Sequence, residues 1–233
     1  MKKQTFNYKS IPCVIWGEES THVLLVVHGF MSHKEDRFTR KCAEVCDEKG
    51  IQVFSFDLPE HGDRKQQEPE LTIQQAIIEM KSIMEYLQSK YSKISLGACS
   101  LGAYYSLLAY ADVPIQNCIL LSPVVDLIEL TNGMLDNDKK TLDDLRKNPI
   151  LVLSDGMVVK LQDYEYLIQH PITNWNIPTS ILYGLHDALI PITSIQSFSL
   201  KYNCEVIYSK HSEHYFHTED DMIQVKNWIN QIV

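Results

Sequence analysis

One stretch of the sequence decides the fold: Ile94-Ser95-Leu96-Gly97-Ala98-Cys99-Ser100-Leu101-Gly102-Ala103. It begins as a short apolar run typical of a buried strand and ends in small residues that lead directly into a helical segment. A nucleophile on such a sharp strand-to-helix turn needs small neighbours two residues before and after it, because the strained backbone brings those positions together. Ser100 meets this requirement with Ala98 and Gly102. We therefore predict Ser100 as a nucleophile.

Two other interpretations of this stretch stay open from sequence alone. Ser100 can act simply as the N-cap of the helix that follows it. Cys99 is a second nucleophilic side chain, but a turn centred on it would have Gly97 and the bulky Leu101 at the two close positions. The size of Leu101 opposes that turn, so we favour Ser100.

Similar short apolar runs recur along the chain and alternate with longer segments of helical periodicity. The predicted strands cover residues 23–27, 53–56, 94–98, 118–121, 180–183 and 206–208. Helical stripes cover residues 38–46, 73–87 after a Thr72 N-cap, and 222–232. This alternation predicts an α/β fold with a mostly parallel central sheet and helices on both faces. The first sixteen residues predict a leading antiparallel hairpin.

Residues 126–178 interrupt this alternation. They contain no convincing buried strand and are locally acidic, and a structureless loop of this length is improbable. Spaced apolar residues predict short amphipathic helices instead: Leu142, Leu145, Val158, Leu161, Tyr164 and Leu167. We therefore expect one α/β domain over residues 1–233 with a helical cap inserted at 126–178.

The composition excludes several classes of function. Of the 233 residues 45% are hydrophobic, and the net charge is −9 with no basic run, which argues against a nucleic-acid partner and favours a small neutral molecule. No signal-peptide core and no run of about 18 apolar residues is present, so we expect a cytoplasmic protein without integral membrane association. The six cysteines show no disulfide spacing and are predicted to be free thiols. The oligomeric state stays open.

A serine hydroxyl is too weakly acidic to attack an ester unaided, so it needs a histidine base and a carboxylate that orients the histidine. His214 lies between the last predicted strand and the last helix, and Asp187 lies just after the preceding strand. Loops that follow parallel strands meet at the carboxyl edge of the sheet. We therefore predict that Ser100, Asp187 and His214 converge there.

Other residues in the sequence are candidates for the same roles. Asp126 follows another strand and is a second candidate acid, although we favour Asp187. His211, His214 and His217 are spaced by three, but no cysteine or carboxylate completes a zinc-ligand pattern, so no metal site is predicted. His28 and His61 are predicted to be structural hydrogen-bonding residues.

An oxyanion hole is the third requirement, and it needs two backbone N–H groups. The turn itself supplies Leu101 N–H, and the loop after the first parallel strand supplies our second candidate, Phe30 N–H, since Gly29 lets the backbone turn beneath the nucleophile. Phe30, Met31 and Trp175 either line a substrate pocket or pack in the core.

The chain resembles the α/β-hydrolase superfamily over nearly its whole length. The resemblance is carried by His28-Gly29, Asp57-Leu58-Pro59-Glu60-His61-Gly62, Ala98-x-Ser100-x-Gly102, Gly184-x-x-Asp187 and His214. It implies Ser100 as nucleophile, Asp187 as acid and His214 as base, as in small bacterial carboxylesterases of the cinnamoyl/feruloyl esterase and monoacylglycerol lipase type. Two positions differ from the usual pattern: Ala98 replaces glycine, and Glu60 replaces the first residue of Gly-His-Gly.

These features predict a serine esterase that cleaves carboxylic esters of small molecules and needs no cofactor or metal. Two enzymatic alternatives use the same three residues, namely a thioesterase and an acylglycerol lipase. A non-catalytic binding protein on the same fold is the alternative from another class.

Overall fold

Strands and helices alternate along the chain. The computed structural model describes residues 1–65 and 72–233. Within them the strands are β1 (Lys3–Tyr8), β2 (Ile11–Trp16), β3 (His22–Val27), β4 (Gln52–Phe56), β5 (Lys93–Cys99), β6 (Cys118–Leu121), β7 (Ile150–Val152), β8 (Val158–Lys160), β9 (Thr179–Gly184) and β10 (Glu205–Ser209). The α-helices are α1 (Arg37–Glu48), α2 (Ile73–Gln88), α3 (Leu101–Tyr110), α4 (Leu127–Asn137), α5 (Leu142–Lys147), α6 (Leu161–Gln169), α7 (Ile192–Tyr202) and α8 (Glu219–Ile232).

The main sheet has the strand order β1-β2-β4-β3-β5-β6-β9-β10. Strands β3, β4, β5, β6, β9 and β10 pair in parallel, and the β1–β2 hairpin joins antiparallel through β2. The predicted α/β fold, its six parallel strands and its leading hairpin are therefore confirmed. The strands β3, β6 and β9 are apolar because helices cover both of their faces.

Helices pack on both faces of this sheet. The predicted N-cap of α2 is present, since Thr72 Oγ1 accepts from Gln75 N–H. Buried side chains of α2, α3 and α7 form one core on the first face, and those of α1 and α8 form a second core on the other. This packing of helices on both faces of the sheet fixes the ends of the strands, so the loops that follow the strands have defined positions.

Residues 126–178, called the inserted segment below, lie between β6 and β9. They form α4, α5, a separate β7–β8 hairpin and α6, with a small core of Leu135, Leu145, Leu153, Val159 and Tyr164. The sequence predicted only helices here, and that was wrong for Val158, which lies in β8. The turn dipeptide Asp155-Gly156, with Gly156 at φ +85°, allows the hairpin. Its two strands are only three residues long and mostly exposed, so the sequence contains no buried apolar run that would predict them.

The inserted segment contacts the carboxyl edge of the sheet. Asp163 Oδ1 accepts from Ile73 N–H at the start of α2 (2.9 Å), and Lys160 Nζ lies 3.5 Å from Glu60 Oε1 in the loop after β4. A carboxylate at a helix N-terminus also interacts favourably with the helix dipole.

Among the described residues, no helix combines the length and apolar character needed to cross a bilayer.

Candidate active site

Ser100 occupies a strained turn between β5 and α3. Its backbone has φ 47° and ψ −121°, a conformation that non-glycine residues rarely adopt. Hydrogen bonds hold this backbone on both sides: Ser100 N–H donates to Leu121 O, and Ser100 O accepts from Val124 N–H, each at 3.1 Å. The turn projects the Ser100 side chain from the carboxyl edge of the sheet.

Glycines allow other backbone segments to approach this turn. A Cβ atom at Gly102 would lie 2.2 Å from His28 O, and one at Gly29 would lie 3.1 Å from Ser100 Cβ. A small residue is thus required two positions after Ser100 because the backbone there lies in close contact with the end of β3. The same contact brings the loop that begins at Gly29 beneath Ser100.

Ser100, His214 and Asp187 form one hydrogen-bonded chain. Ser100 Oγ lies 2.9 Å from His214 Nε2, and His214 Nδ1 lies 2.7 Å from Asp187 Oδ2. The side chains of His214 and Asp187 are 5% and 0% exposed, so solvent does not compete for the second bond. Because the carboxylate accepts from Nδ1–H, Nε2 of a neutral His214 is left to accept the serine proton.

Local contacts fix the two partners of Ser100. Asp187 Oδ1 accepts N–H bonds from Leu189 (2.8 Å) and Ile190 (2.9 Å), which leaves Oδ2 directed at His214. The loop of His214 packs against the end of β9, where a Cβ atom at Gly184 would lie 2.3 Å from Ser212 O. The convergence of the three loops follows from the parallel order of β5, β9 and β10.

The two predicted oxyanion-hole amides flank Ser100. Leu101 is the first residue of α3, and Phe30 follows Gly29. Among residues 1–65 and 72–233, neither the Leu101 N–H nor the Phe30 N–H has a hydrogen-bond partner. Both donors are therefore available to a ligand atom, as the first amides of a helix commonly are.

The three predicted pocket residues occupy different places. Phe30 is 44% exposed and contacts the His61 ring edge-on at 5.5 Å, and Met31, at φ +57°, is 77% exposed in the same loop. Trp175 is buried in the core, where its Nε1–H donates to Thr179 Oγ1 at the amino end of β9. Since Ser100 lies at the carboxyl edge, the structure does not bring Trp175 to the other site residues.

The rival residues have other contacts. The Ser100 side chain makes no capping hydrogen bond, which contradicts the simple N-cap interpretation. Asp126 is exposed and caps α4 by accepting from Glu129 N–H (2.8 Å). Burial raises the pKa of the Cys99 thiol well above its usual value, which disfavours the thiolate that a cysteine nucleophile requires.

His28 makes structural hydrogen bonds, as predicted. Its Nε2 accepts from Leu58 N–H (3.0 Å), so its Nδ1–H donates to Gly29 O (2.8 Å). Burial lowers the pKa of His28 to about 4, so the ring stays neutral and keeps this tautomer. His61 Nδ1–H donates to Pro59 O (2.7 Å). His211 and His217 are exposed, and within the described parts of the chain no cluster of three metal-ligating side chains occurs.

Sequence reasoning missed a buried ion pair beside the site. Lys34 Nζ donates to Asp57 Oδ2 (2.7 Å) and Asp63 Oδ2 (2.6 Å), and Lys34 N–H donates to Asp57 Oδ1 (2.8 Å). Gly62 allows the fold of this loop, because a Cβ atom there would lie 2.2 Å from Asp57 Oδ1. Asp57 stands in a motif quoted above, but no local pattern in the sequence shows that it meets Lys34.

A groove also escaped the sequence analysis. It has a volume of about 580 Å³ and lies between α3, α4, the end of the inserted segment and α7. Tyr104 lines it one helical turn after Ser100, together with Val125, Leu167 and Phe198. Ser194 Oγ donates to Glu129 Oε2 (2.6 Å) and joins α7 to α4 there.

Comparisons by sequence find no relative: no family model and no curated protein matches the chain. Solved structures do match over nearly the full length. Est1E from Butyrivibrio proteoclasticus, solved with ferulic acid bound, is 18% identical with a TM-score of 0.81, and the match covers 98% of this chain and 96% of that one.

Two further solved structures also match the chain over nearly its full length. Mouse alpha/beta hydrolase domain-containing protein 10 is 16% identical with a TM-score of 0.80 over 99% of this chain and 98% of its own. A thioesterase domain from the curacin biosynthetic pathway is 14% identical with a TM-score of 0.64, over 98% of this chain and 99% of its own. The chain therefore has the α/β-hydrolase fold.

The contact at Gly102 predicts opposite effects for two glycine substitutions. Gly102→Ala forces a methyl group against His28 O and should lower the free energy of unfolding by about 1–3 kcal/mol. Gly133→Ala, inside α4 with nothing within 4 Å, should raise it by about 0.4–1 kcal/mol. Urea denaturation of both variants measures the two values, and equal stabilities would contradict the close approach at Gly102.

Proposed function

We propose that this protein is a serine hydrolase that cleaves carboxylic esters of small, neutral molecules. The hydrogen-bonded chain of Ser100, His214 and Asp187 is the observation that carries the proposal. Its geometry gives each group the contact that a nucleophile, a base and an orienting acid require. The structural neighbours, which include a protein solved with ferulic acid bound and a thioesterase domain, agree with a hydrolase role, although the fold alone permits others.

In the proposed mechanism, Ser100 Oγ attacks the ester carbonyl carbon while His214 Nε2 takes its proton. Asp187 holds the imidazole through Nδ1–H and stabilises the imidazolium that forms. The Leu101 and Phe30 N–H groups donate to the oxyanion of the tetrahedral intermediate. His214 then protonates the leaving alkoxide, and the acyl group stays on Ser100.

Deacylation repeats these steps with water. His214 takes a proton from the water molecule, which attacks the acyl carbon, and returns that proton to Ser100 Oγ when the intermediate collapses. His214 therefore carries one proton from Ser100 to the leaving alkoxide and a second from water back to Ser100. This sequence of steps calls for no cofactor.

Two features support a neutral ester of small or medium size. The groove of about 580 Å³ falls in the range of small-molecule pockets. Its lining includes Tyr104, four residues after Ser100 on α3, but does not include Ser100. The inserted segment, which we propose acts as a cap, carries Asp126 and Glu129 at that groove. With Lys201 as the one cation among the described residues of the lining, the groove has a net negative charge, which disfavours anionic substrates such as acyl-CoA. The thioesterase alternative suggested by one neighbour is therefore the weaker one.

A substrate panel tests the reaction class. We expect kcat/KM for p-nitrophenyl acetate, butyrate and octanoate, and for methyl esters of aromatic acids, to exceed kcat/KM for the matching acyl-CoA thioesters. Ser100→Ala should reduce kcat by about 10⁶-fold on every active substrate. Preferred turnover of acyl-CoA would make the thioesterase the correct alternative, and faster turnover of monoacylglycerol would favour the lipase. A folded protein inert on the whole panel would indicate a binding protein.

Paired substitutions test which carboxylate orients His214. Asp187→Asn keeps the oxygen that accepts from Leu189 and Ile190 but places an NH₂ group against His214 Nδ1, so kcat should fall by about 10⁴-fold. Asp126→Asn keeps an equally good N-cap on α4 and should leave kcat within about twofold. The assignment fails if the Asp126 variant shows the larger loss.

A further inference from the structure

The loop that supplies Phe30 N–H has little packing of its own. Phe30 and Met31 are 44% and 77% exposed, and Met31 adopts a left-handed φ of +57°. A surface segment with exposed side chains and an unfavourable backbone angle needs fixed ends to keep one conformation. The conformation of this loop therefore depends on the contacts made at its two ends, His28 and Lys34.

The first end is held by His28. Its neutral ring joins Gly29 O to Leu58 N–H and so links the loop to the segment that follows β4. This bond fixes the entry of the loop beneath Ser100. It leaves the exit of the loop, at Lys34, without restraint from His28.

The second end is held by Lys34 through its backbone and its side chain. Lys34 O accepts from Ser55 Oγ (2.7 Å), and Lys34 N–H donates to Asp57 Oδ1. The side chain is 8% exposed and donates to Asp57, whose side chain is fully buried, and to Asp63. All three partners belong to β4 or to the loop after it.

Lys34 keeps its positive charge at every pH at which an esterase would work. Burial alone would lower the pKa of Lys34, but hydrogen bonds to Asp57 and Asp63 outweigh burial and raise the pKa above its usual value. The hydrogen bond to Lys34 in turn lowers the pKa of Asp63. A charge-assisted, buried contact of this kind has a defined geometry.

We propose that Lys34 is a positioning residue for the oxyanion hole: its ion pair with Asp57 holds the 29–34 loop so that Phe30 N–H is directed at the oxyanion. The inference rests on the proposed function. Lys34 does not touch the substrate, and it acts through the loop it anchors. The expected effect is on transition-state stabilisation, because an oxyanion donor contributes about 10²- to 10³-fold to kcat and tolerates little displacement.

The test compares two ways of removing the ion pair. Lys34→Met leaves the Asp57 carboxylate buried without its cation, so this variant can lose stability or fail to fold. Lys34→Met/Asp57→Asn removes both charges and keeps an amide oxygen for Lys34 N–H. Lys34→Arg retains a cation and should recover part of the activity. Tyr110→Phe is the matched control, since it removes another buried hydrogen bond, from Tyr110 Oη to Met80 O (3.1 Å), that joins α3 to α2.

Two measurements on p-nitrophenyl butyrate hydrolysis separate positioning from loss of structure. In the double variant kcat should fall 10- to 100-fold with KM within twofold of the wild type. The Ki of phenylboronic acid, whose tetrahedral adduct on Ser100 mimics the oxyanion, should rise by the same factor. Tyr110→Phe should lower the melting temperature while kcat and Ki stay near wild type.

The outcomes are distinguishable. An active wild type whose folded double variant keeps kcat within threefold overturns this inference alone, and so does a loss of kcat that Tyr110→Phe shares. A wild type that neither hydrolyses esters nor binds the boronic acid overturns the proposed function and the inference with it.

Discussion

The close approach of two backbone segments at Gly102 is the constraint on which the site depends. The turn at Ser100 can be this sharp only because the residue two positions later has no side chain and packs against His28 O. That contact sets the distance between the end of β3 and the start of α3. It thereby places Ser100 above the loop that carries Phe30 N–H and beside the first amide of α3, so one packing contact fixes the proposed nucleophile and its proposed hydrogen-bond donors together.

The remaining groups reach this point because the sheet is parallel. Strands β5, β9 and β10 end at the same edge, so Asp187 and His214 arrive from separate loops and need only short local contacts to be oriented. The buried pair of Lys34 and Asp57 does the same for the loop after β3. Rigid strands thus set coarse positions, and hydrogen bonds within the loops set the final ones.

Much of the fold and of the candidate site was predictable from the sequence because the signals for them are local. Apolar runs and helical stripes located the inner strands and α2, and small residues around Ser100 located the turn. Trp175 could not be placed, since an aromatic residue in an inserted segment reads the same whether it packs in the core or lines a pocket. The β7–β8 hairpin is short and exposed and so lacks a burial pattern, and the pairing of Lys34 with Asp57 depends on tertiary structure.

The central claim is that Ser100 is an activated nucleophile, and covalent labelling tests it most directly. Incubation with a fluorophosphonate, followed by intact-mass measurement and peptide mapping, should give one adduct per chain on the peptide that contains Ser100. The adduct should be absent from a folded Ser100→Ala variant. A well-folded wild type that takes up no label, or that carries the label on another residue such as Cys99, would contradict the account.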